Sequence, residues 1–417
     1  MRTIILHAGR CGWANCVFCG WGKEEVKISA DELIREFMKQ RGDDGVKLYC
    51  SGSLLDLEQF PLKFIKHLAK EMRGKRLIIE SRPEYVTKKS LKLFKGVLLT
   101  VAMGLEAADN EVLKKLKKGI TIEQFADKAA LIHEVGFKVK GYVLVNPPHD
   151  YPGLLDKTVS FGRKHCDELV LINTYPHSRS ELFDYWLRGE WQPLSEEEFY
   201  KLTEKYKDVQ LEPNNYAFTP KFPPDKRVDL KGVGVEFINH PHFNVWQYYL
   251  ANLYKKPEHK TIALFLPCSK RKPYYKSRTH RSIRRMITGY EWYKNLHLIV
   301  ISNPGVIPVE FSDKYPFNAY DWDERKETPA VMREYMGVNK QRIKNYLENH
   351  EYEKILSYFK PESESGLALK EACEELGLDL VKLVNKDLYF KHKDKRNPLI
   401  HPLMLRAFKK RISEVLS

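Results

Sequence analysis

Short apolar runs alternate with amphipathic stretches six times in the first 175 residues, and this alternation constrains the fold more than any other feature of the sequence. The predicted strands lie at Thr3–His7, Val46–Cys50, Arg76–Glu80, Val97–Met103, Lys138–Val145 and Glu168–Asn173. Segments with helical spacing lie between them, such as Ala30–Lys39, Leu62–Met72 and Ile122–Val135. Strands that are apolar throughout are typical of parallel sheets buried on both faces. We therefore predict an α/β fold, an open partial (β/α)6 barrel with its functional residues at the carboxyl ends of the strands.

The strand–helix pattern stops near residue 214 and starts again at Thr261. The intervening residues are rich in proline, asparagine and aromatic side chains, which predicts a connecting segment that packs down. Beyond it, two apolar strands and a basic helix near His280–Gly289 predict a smaller α/β domain with a parallel sheet. A chain of 417 residues suits two or three domains. We predict a barrel over 1–213, a connecting segment over 214–260 and a second domain with a basic C-terminal tail over 261–417.

Composition and charge exclude several classes of protein. Hydrophobic residues make up 43% of the chain, which excludes wholesale disorder. The sequence has no apolar run of membrane-spanning length and no secretory signal, so we expect a cytoplasmic protein with no membrane partner. Its net charge of +15 is concentrated between Cys268 and Thr288 and from Val381 to the end. This predicts either a solvated basic face or a surface that binds a phosphate backbone. The candidate contacts are Arg281, Arg284, Arg285, Lys409, Lys410 and Arg411.

Three of the seven cysteines, Cys11, Cys16 and Cys19, lie within one glycine-rich loop after the first predicted strand. Three thiolates on one short loop can hold three irons of a [4Fe–4S] cluster and leave the fourth iron open. A zinc site is the alternative, and it would need a fourth protein ligand such as His7. Coincidental buried thiols are a further alternative.

The Cys-x4-Cys-x2-Cys loop on a six-unit barrel resembles the radical S-adenosylmethionine (radical SAM) superfamily. The usual spacing of that family has three residues between the first two cysteines, so the four found here narrow the match to branches with a longer loop. The resemblance implies that the open iron binds S-adenosylmethionine, whose reductive cleavage yields a 5′-deoxyadenosyl radical. Polar residues at later strand ends are then candidates for binding this cofactor: Gly52, Ser53, Glu80, Arg82 and Glu106. A structural salt bridge is the alternative for each charged member of this set.

Within that superfamily, the chain resembles the archaeosine-forming branch. The shared phrases include CGWANCVFCGW, SGSLLD, ESRPEYV and GLEAADNEVLKK, and they extend to about Glu212. The resemblance implies an enzyme that acts on tRNA bearing a lysine-adducted 7-deazaguanine and cleaves a C–N bond of the lysine side chain to leave a formamidine. It also implies an electron donor as a partner.

A second polar cluster follows the apolar strand that ends near Pro267. It contains Cys268, Lys272, Tyr274, Ser277 and His280, and strand ends of this kind face a ligand crevice in open α/β sheets. A thiolate at Cys268 could attack an electrophile, with nearby cations lowering its pKa and His280 transferring protons. A purely binding role for Cys268, or a basic surface loop with an incidental cysteine, is the alternative.

This cluster resembles the motif of the archaeosine synthase core domain, namely Pro-Cys, three residues, Lys-Pro-Tyr, two residues, Ser, two residues and His. The resemblance implies that the domain attaches free L-lysine to the nitrile of 7-cyano-7-deazaguanine in tRNA. The segment WDERKETPA after Asp321 departs from the family pattern.

Three hypotheses about function follow. The leading one is a fused enzyme of archaeosine biosynthesis, in which the C-terminal domain adds lysine and the barrel cleaves the adduct. The second is a radical SAM enzyme acting on another 7-deazaguanine-containing nucleic acid or base, with a C-terminal domain that serves only for binding and specificity. The third is a non-catalytic iron–sulfur scaffold, in which the polar residues at the strand ends would have no cofactor to bind.

Overall fold

The computed structural model describes residues 1–23, 28–42, 44–213 and 219–416. The chain divides into two compact units, Met1–Ala217 and Phe218–Ser417. Residues 214–218, at the start of the predicted connecting segment, and residue 417, at the end of the predicted basic tail, lie outside the described residues.

The first unit is built on a single sheet of seven strands, all parallel, in the order of the sequence. The strands are β1 (Arg2–Leu6), β2 (Val46–Cys50), β3 (Arg76–Glu80), β4 (Leu98–Glu106), β5 (Lys138–Val145), β6 (Glu168–Asn173) and β7 (Gln210–Glu212). This curled, half-barrel sheet confirms the predicted α/β class and adds a short seventh strand to the six expected.

Eight helices belong to the described part of the first unit. They are α1 (Ala30–Gln40), α2 (Leu62–Glu71), α3 (Lys88–Lys92), α4 (Asn110–Lys115), α5 (Ile122–Glu134), α6 (Leu154–His165), α7 (Glu181–Leu187) and α8 (Glu196–Thr203). Capping boxes start several of them, for example Ser29 with Glu32 at α1 and Thr121 with Gln124 at α5. These caps fix where each loop ends, and so which residues remain at the carboxyl edge of the sheet.

One irregularity of the sheet matters for the site. The pairing of β4 with β5 shifts register between Gly104 and Glu106, and Glu106 has a positive φ of 62°. A left-handed backbone is uncommon for glutamate, so this strand end is held in a special conformation.

The second unit has a five-stranded sheet in the order β11-β10-β9-β13-β14, and a two-stranded sheet of β8 and β12. The strands are β8 (Leu230–Lys231), β9 (Ile262–Pro267), β10 (Leu296–Ser302), β11 (Gly305–Pro308), β12 (Tyr320–Asp321), β13 (Lys354–Ser357) and β14 (Leu380–Lys382). The larger sheet is parallel except for its edge strand β11, which is antiparallel to β10. The second α/β domain is thereby confirmed, with a mixed rather than a purely parallel sheet.

Seven helices belong to the described part of this unit. They are α9 (Val235–Ile238), α10 (Pro241–Asn252), α11 (Arg278–Ile287), α12 (Pro329–Glu348), α13 (Glu364–Glu375), α14 (Lys386–Lys391) and α15 (Pro402–Leu416). The helix α10 lies in the predicted connecting segment, and it is packed into the second unit. Its Trp246 is fully buried and donates to the Tyr315 carbonyl at 3.0 Å, and its Gln247 bonds both ways to the Val306 backbone at 2.9 and 3.0 Å.

None of the described helices combines the length and the hydropathy that crossing a membrane requires.

Candidate functional site

The cysteine loop follows β1 at the carboxyl edge of the first sheet. The Cys11 amide donates to the Gly22 carbonyl at 3.0 Å, which folds the loop back on itself. Gly22 is required at that closure, because a Cβ there would lie 2.8 Å from the Cys11 Cβ. Cys16 is buried, while Cys11 and Cys19 are partly buried. The loop therefore places all three thiols at the carboxyl edge of the sheet, in buried or partly buried positions.

Burial raises the pKa of two of these thiols. The pKa of Cys16 is raised by burial, which the nearby positive charges of Lys118 and Arg82 only partly offset. Burial, together with negative charge on Cys16 and Cys11, raises the pKa of Cys19 to about 11. Metal coordination deprotonates a thiol outright and neutralises this mutual repulsion, so the donor set suits a cationic cluster.

The arrangement fits a cluster better than a single metal ion. Among the residues that the structure describes, no three His, Cys, Asp or Glu side chains converge on one ion position. A zinc site requires such convergence, and His7 is exposed. A cubane cluster instead takes each thiolate on a different iron, so its ligands stand apart.

The predicted cofactor-binding residues Gly52 and Ser53 follow β2, and hydrogen bonds of the Gln59 side chain connect this segment to the cysteine loop. The Gln59 side chain accepts from the Ser53 amide at 2.8 Å and donates to the Gly9 carbonyl at 3.1 Å. A Cβ on Gly52 would lie 2.2 Å from the Gln59 Oε1, so only glycine fits. Ser53 is 1% exposed, and its Oγ accepts from the Arg82 amide at 3.0 Å. Sequence patterns gave no sign of Gln59.

Arg82 links the third strand end to the cysteine loop. Its Nη1 lies 3.6 Å from the Cys16 Sγ, and its Nη2 donates to the Lys118 carbonyl at 2.7 Å. Its Nε pairs with Glu84, and its guanidinium lies 5.2 Å from the centroid of the Trp13 ring. The guanidinium therefore places a buried positive charge beside a predicted cluster ligand.

Glu106 forms a buried ion pair with Lys118, at 2.6 Å and with both side chains 7% exposed. Gly104 makes room for it, since a Cβ there would lie 2.1 Å from the Glu106 carboxylate. Burial acts to lower the pKa of Lys118, but Glu106 and Cys16 hold it above its usual value. Sequence patterns suggested Glu106 and missed Lys118, because a lysine in the basic loop after α4 carries no local sign of burial.

Glu80 ends β3 and faces the interior of the half-barrel. Its carboxylate accepts from the Cys50 amide at 3.0 Å and lies beside the Tyr142 hydroxyl of β5. Burial raises the pKa of Glu80 to about 7, against the lowering effect of those two donors. Such a carboxyl can carry or release a proton near neutral pH.

The second unit has a cavity of about 880 Å³ at the carboxyl edge of its larger sheet. Its walls come from the loops after β9, β10 and β13, three adjacent parallel strands, and from the segment after β12. Ligands bind at this position in open α/β sheets. Of the five predicted residues of this unit, Cys268 and Lys272 line the cavity.

Cys268 and Lys272 interact electrostatically within the cavity wall. Burial raises the pKa of the Cys268 thiol, and a hydrogen bond with Ser302 and the charge of Lys272 only partly oppose it. Lys272 lowers this pKa in the predicted direction, but the net shift is upward because desolvation of the thiolate outweighs the nearby cations. Burial also lowers the pKa of Lys272, whose ammonium lies 3.8 Å from the centroid of the Tyr320 ring.

Tyr274, Ser277 and His280 are placed behind the cavity wall. The Tyr274 hydroxyl bonds the Tyr320 hydroxyl, which in turn bonds Ser302. Ser277 caps α11 by accepting from the His280 amide at 3.1 Å. The His280 Nε2 lies 2.9 Å from the Pro267 carbonyl, its ring stacks on Tyr274, and burial lowers its pKa to about 4. These contacts hold the loop after β9 and leave His280 neutral at pH 7.

Sequence patterns missed several of the cavity residues. Ser302 ends β10 and Asn303 follows it, and five residues of the segment 322–327 that departs from the family pattern also line the cavity. The strand-end position of Ser302 and Asn303 is the only sequence signal that could have identified them.

The predicted phosphate-binding residues lie on α11 and α15, which pack against each other. Arg281, Arg285 and Lys409 are exposed. Arg284 is half-buried and donates to the Tyr293 hydroxyl at 3.2 Å. Lys410 and Arg411 are exposed but approach Glu414 at 3.9 and 3.6 Å. The face formed by α11 and α15 therefore keeps exposed positive charge at Arg281, Arg285 and Lys409, while Glu414 partly neutralises Lys410 and Arg411.

Each unit matches a known protein family. Residues 5–159 match the radical SAM superfamily, and residues 244–395 match a domain of unknown function, DUF5591. Radical SAM domains bind a [4Fe–4S] cluster and S-adenosylmethionine, and these are the cofactors of the first unit.

Relatives of the two units carry related names. The chain is 26% identical over 172 residues to archaeosine synthase subunit beta of Methanosarcina acetivorans, covering 35% of this chain and 48% of that protein. It is 30% identical over 122 residues to archaeosine synthase subunit alpha of Thermoplasma acidophilum, covering 27% of this chain and 23% of that protein. A solved structure of a queuine lyase from Clostridium spiroforme is 21% identical, with a TM-score of 0.37, covering 54% of this chain and 92% of that one.

The chain spans about half the length of the beta subunit and about a quarter of the alpha subunit. It joins a radical SAM domain at its N-terminus to a DUF5591 domain at its C-terminus, and its homologues include proteins named archaeosine synthase subunits.

Proposed function

We propose that this protein is a cytoplasmic tRNA-modifying enzyme of archaeosine biosynthesis that carries out two consecutive reactions. The second unit joins L-lysine to the nitrile of 7-cyano-7-deazaguanine in tRNA, and the first unit cleaves that adduct to the formamidine by radical SAM chemistry. One observation carries the proposal: each unit has a polar site with cysteine at the carboxyl ends of parallel strands, one at the Cys11 loop and one at Cys268.

In the first unit, Cys11, Cys16 and Cys19 would ligate the cluster. The cluster and S-adenosylmethionine, when bound and reduced by an external electron donor, supply the 5′-deoxyadenosyl radical that abstracts a substrate hydrogen atom. The chain itself provides the enclosure. Gly52 leaves room for the Gln59 side chain, which would hold Gly52 and Ser53 in the wall of the cofactor site at the second strand end, and Arg82 brings positive charge to Cys16.

Two further carboxyl groups support this site in the proposal. Glu80 faces the interior of the half-barrel, where its raised pKa suits proton exchange with a bound substrate or with the cofactor amine. Glu106, paired with Lys118, would position Lys118 near Cys16 and could still accept from a ribose hydroxyl through its second oxygen.

In the second unit, the reaction adds an amine N–H across a C≡N bond and needs no oxidant. The Cys268 thiol would add across the nitrile to give a thioimidate, and the neutral amine of lysine would then displace it and restore the thiol. Lys272 is the cavity cation that can donate a proton to the nitrile nitrogen. Tyr274, Ser277 and His280 would position the loop that carries these two groups.

A second candidate function is favoured by the protonation states of Cys268 and His280 in the second unit. Cys268 is a buried neutral thiol and His280 is held on the Pro267 carbonyl, an arrangement also compatible with binding alone. In that case the first unit would act on a nucleic acid or base containing 7-deazaguanine, and the second unit would supply binding and specificity.

Nucleoside mass spectrometry separates these candidates. tRNA containing 7-cyano-7-deazaguanine is incubated with the reconstituted enzyme and lysine, with or without S-adenosylmethionine and a reductant. We expect the lysine adduct without S-adenosylmethionine and the formamidine with it.

Replacing Cys11, Cys16 and Cys19 with Ala should abolish iron binding and cause the adduct to accumulate, while Cys268→Ala should prevent adduct formation but leave cleavage of a pre-made adduct intact. Adduct formation by Cys268→Ala at the normal rate would show that this thiol is neither the nucleophile nor an essential contact. Absence of any lysine adduct with the unmodified protein would support the second candidate.

A further inference from the structure

We propose that the cavity of the second unit contains a subsite for the α-amino and α-carboxylate head group of an amino acid. Lys360 and the N-terminus of α13 would bind the carboxylate, and Glu324 and Glu327 would bind the ammonium. This inference rests on the proposed function, because the lysine reaction is what requires an amino acid in the cavity. It adds that the protein binds lysine by its α-amino and α-carboxylate groups and names the residues that bind them.

The carboxylate half of the subsite is an uncapped helix start. The helix α13 runs for 12 residues from Glu364, and its N-cap Ser363 makes no side-chain capping bond. The Ser363 hydroxyl instead donates backwards to the Lys360 carbonyl at 3.0 Å. The amides of the first turn and the positive end of the helix dipole therefore face the cavity that Ser363, Glu364 and Ser365 line.

Lys360 adds a full positive charge to this helix start. It lines the same cavity, and its ammonium forms no ion pair with any residue of the described ranges. A planar carboxylate can accept from backbone amides and from an ammonium at once, which is the combination that this wall offers.

The ammonium half consists of carboxylates that lie close to one another. Burial raises the pKa of Glu327, and the negative charges of Glu324 and Glu364 raise it further. The indole N–H of Trp322 and the positive charge of Lys360 only partly oppose this rise, so Lys360 lies near this half of the subsite as well. All of these residues line the cavity. A bound ammonium would relieve this repulsion, whereas a phosphate would increase it. The wall therefore favours a small zwitterion over an RNA backbone.

An independent sign of a ligand comes from Asn303, in the wall after β10. Asn303 is 5% exposed and lines the same cavity, and its side-chain nitrogen has no hydrogen-bond partner within the part of the chain that the structure describes. A buried amide donor without an acceptor is costly, so a bound group is expected to supply the acceptor.

The subsite also explains how the donor amine becomes reactive. A lysine held by its head group extends its side chain within the cavity that also contains Cys268 and Lys272. The charge of Lys272 disfavours a second ammonium there, and so does the burial that lowers the pKa of Lys272 itself. The side-chain amine would lose its proton and become nucleophilic at that end of the cavity.

Isothermal titration calorimetry of the full-length protein with three ligands tests the subsite. L-lysine has both the head group and the side-chain amine, L-norleucine keeps only the head group, and 1,5-diaminopentane keeps only the amines. We expect L-lysine and L-norleucine to bind, and 1,5-diaminopentane to bind at least tenfold more weakly than L-lysine. Lys360→Met, and separately the double variant Glu324→Gln with Glu327→Gln, should weaken binding of both amino acids about tenfold or more.

The matched control is Lys344→Met, because Lys344 is paired with Glu375 at 2.6 Å on α12 and does not line the cavity. This variant should bind L-lysine as the unmodified protein does. Equal affinity for 1,5-diaminopentane and L-lysine, absence of L-norleucine binding, or unchanged affinity in the Lys360 variant would each overturn the subsite. L-norleucine cannot form the adduct, so its binding decides the subsite even if mass spectrometry shows that the lysine reaction does not occur.

Discussion

Cys16 and Cys268 have the same kind of surroundings, since each thiol is buried and each has cationic side chains nearby. For Cys16 the cations are Lys118 and Arg82, and for Cys268 the main one is Lys272. Burial raises the pKa in both cases, because a thiolate loses more hydration than these cations return. The two sites differ in what can favour the thiolate. A metal can replace the proton on Cys16, whereas the Cys268 thiolate is favoured by the charges of Lys272 and Lys360 and by its hydrogen bond with Ser302.

The contribution of Lys272 can be measured by alkylation. Lys272→Met removes the charge that lowers the pKa of Cys268, so the thiolate fraction at pH 7 to 9 should fall and alkylation by iodoacetamide should slow several-fold. Peptide mass spectrometry follows the rate at Cys268, with Cys373, which is 1% exposed, as the internal unreactive control. An unchanged or faster rate in the variant would mean that Lys272 does not act on this thiol.

The buried pair of Glu106 and Lys118 should matter far more than an exposed pair of similar length. Glu106→Gln leaves the Lys118 ammonium buried without a counter-charge, which we expect to cost about 3–5 kcal/mol of unfolding free energy. Its control is Glu181→Gln, which breaks the exposed 2.7 Å pair with Lys117 and should cost less than about 1 kcal/mol. Urea denaturation of both variants provides the comparison, and equal losses would contradict the role assigned to burial.

At the scale of elements, the strands of the first unit were predicted almost to the residue. Four predicted ranges, among them Val46–Cys50 and Lys138–Val145, coincide with β2, β3, β5 and β6. Apolar runs bounded by turn residues define buried strands without any tertiary information. The strands β7 and β11 were missed because three or four residues at a sheet edge carry no periodicity.

The sites were predictable only where one local motif contains the residues. The cysteine loop and the loop from Cys268 to His280 are contiguous, so their members were identified together. Partners brought together by folding were not, because Lys118 meets Glu106 and Lys272 meets Tyr320 only in three dimensions. Residue type also suggested the wrong protonation for Cys268, because burial cannot be read from a motif.

In the helix α11, the motif residue His280 contributes to the stability of the helix rather than to a reaction. Burial lowers the pKa of His280 from 6.5 to about 4, so the unfolded chain binds a proton below pH 6.5 while the folded chain does not. The stability that neutral His280 contributes is therefore present above pH 6.5 and is lost as the pH falls towards 4. His280→Asn should destabilise the protein at pH 7.5, and its deficit should shrink by on the order of 1–3 kcal/mol between pH 6.5 and 4.

Urea denaturation across this pH range measures the deficit. Ser277→Ala serves as the control, because it removes the α11 cap without removing a titrating group. We expect that variant to lose about 1 kcal/mol at every pH. A His280 deficit that stays constant from pH 7.5 to 4 would show that the imidazole titrates normally, and would restore it as a candidate proton carrier.

At the scale of the whole molecule, the charge of +15 raises the question of whether the face of α11 and α15 binds a nucleic acid. If Arg281, Arg285 and Lys409 contact phosphates, each contact releases counterions, and tRNA affinity falls steeply with salt. Replacing all three with Ala should flatten the log–log dependence of affinity on salt by about two to three and weaken binding at low salt. Arg284 is left unchanged because its Nε is engaged by Tyr293.

A variant with the same loss of charge makes the test specific to this face. Lys340, Lys344 and Lys370 lie on α12 and α13 and are paired with glutamates, so their phosphate-binding capacity is already reduced. Replacing these three with Ala changes the net charge by the same amount and should leave the salt slope nearly unchanged. Filter binding or fluorescence anisotropy with a tRNA transcript at 50 to 300 mM salt compares the two. Because long-range attraction depends on total charge whereas counterion release depends on contacts, equal slopes would mean that the basic face is a solvated surface and that tRNA must be recognised elsewhere.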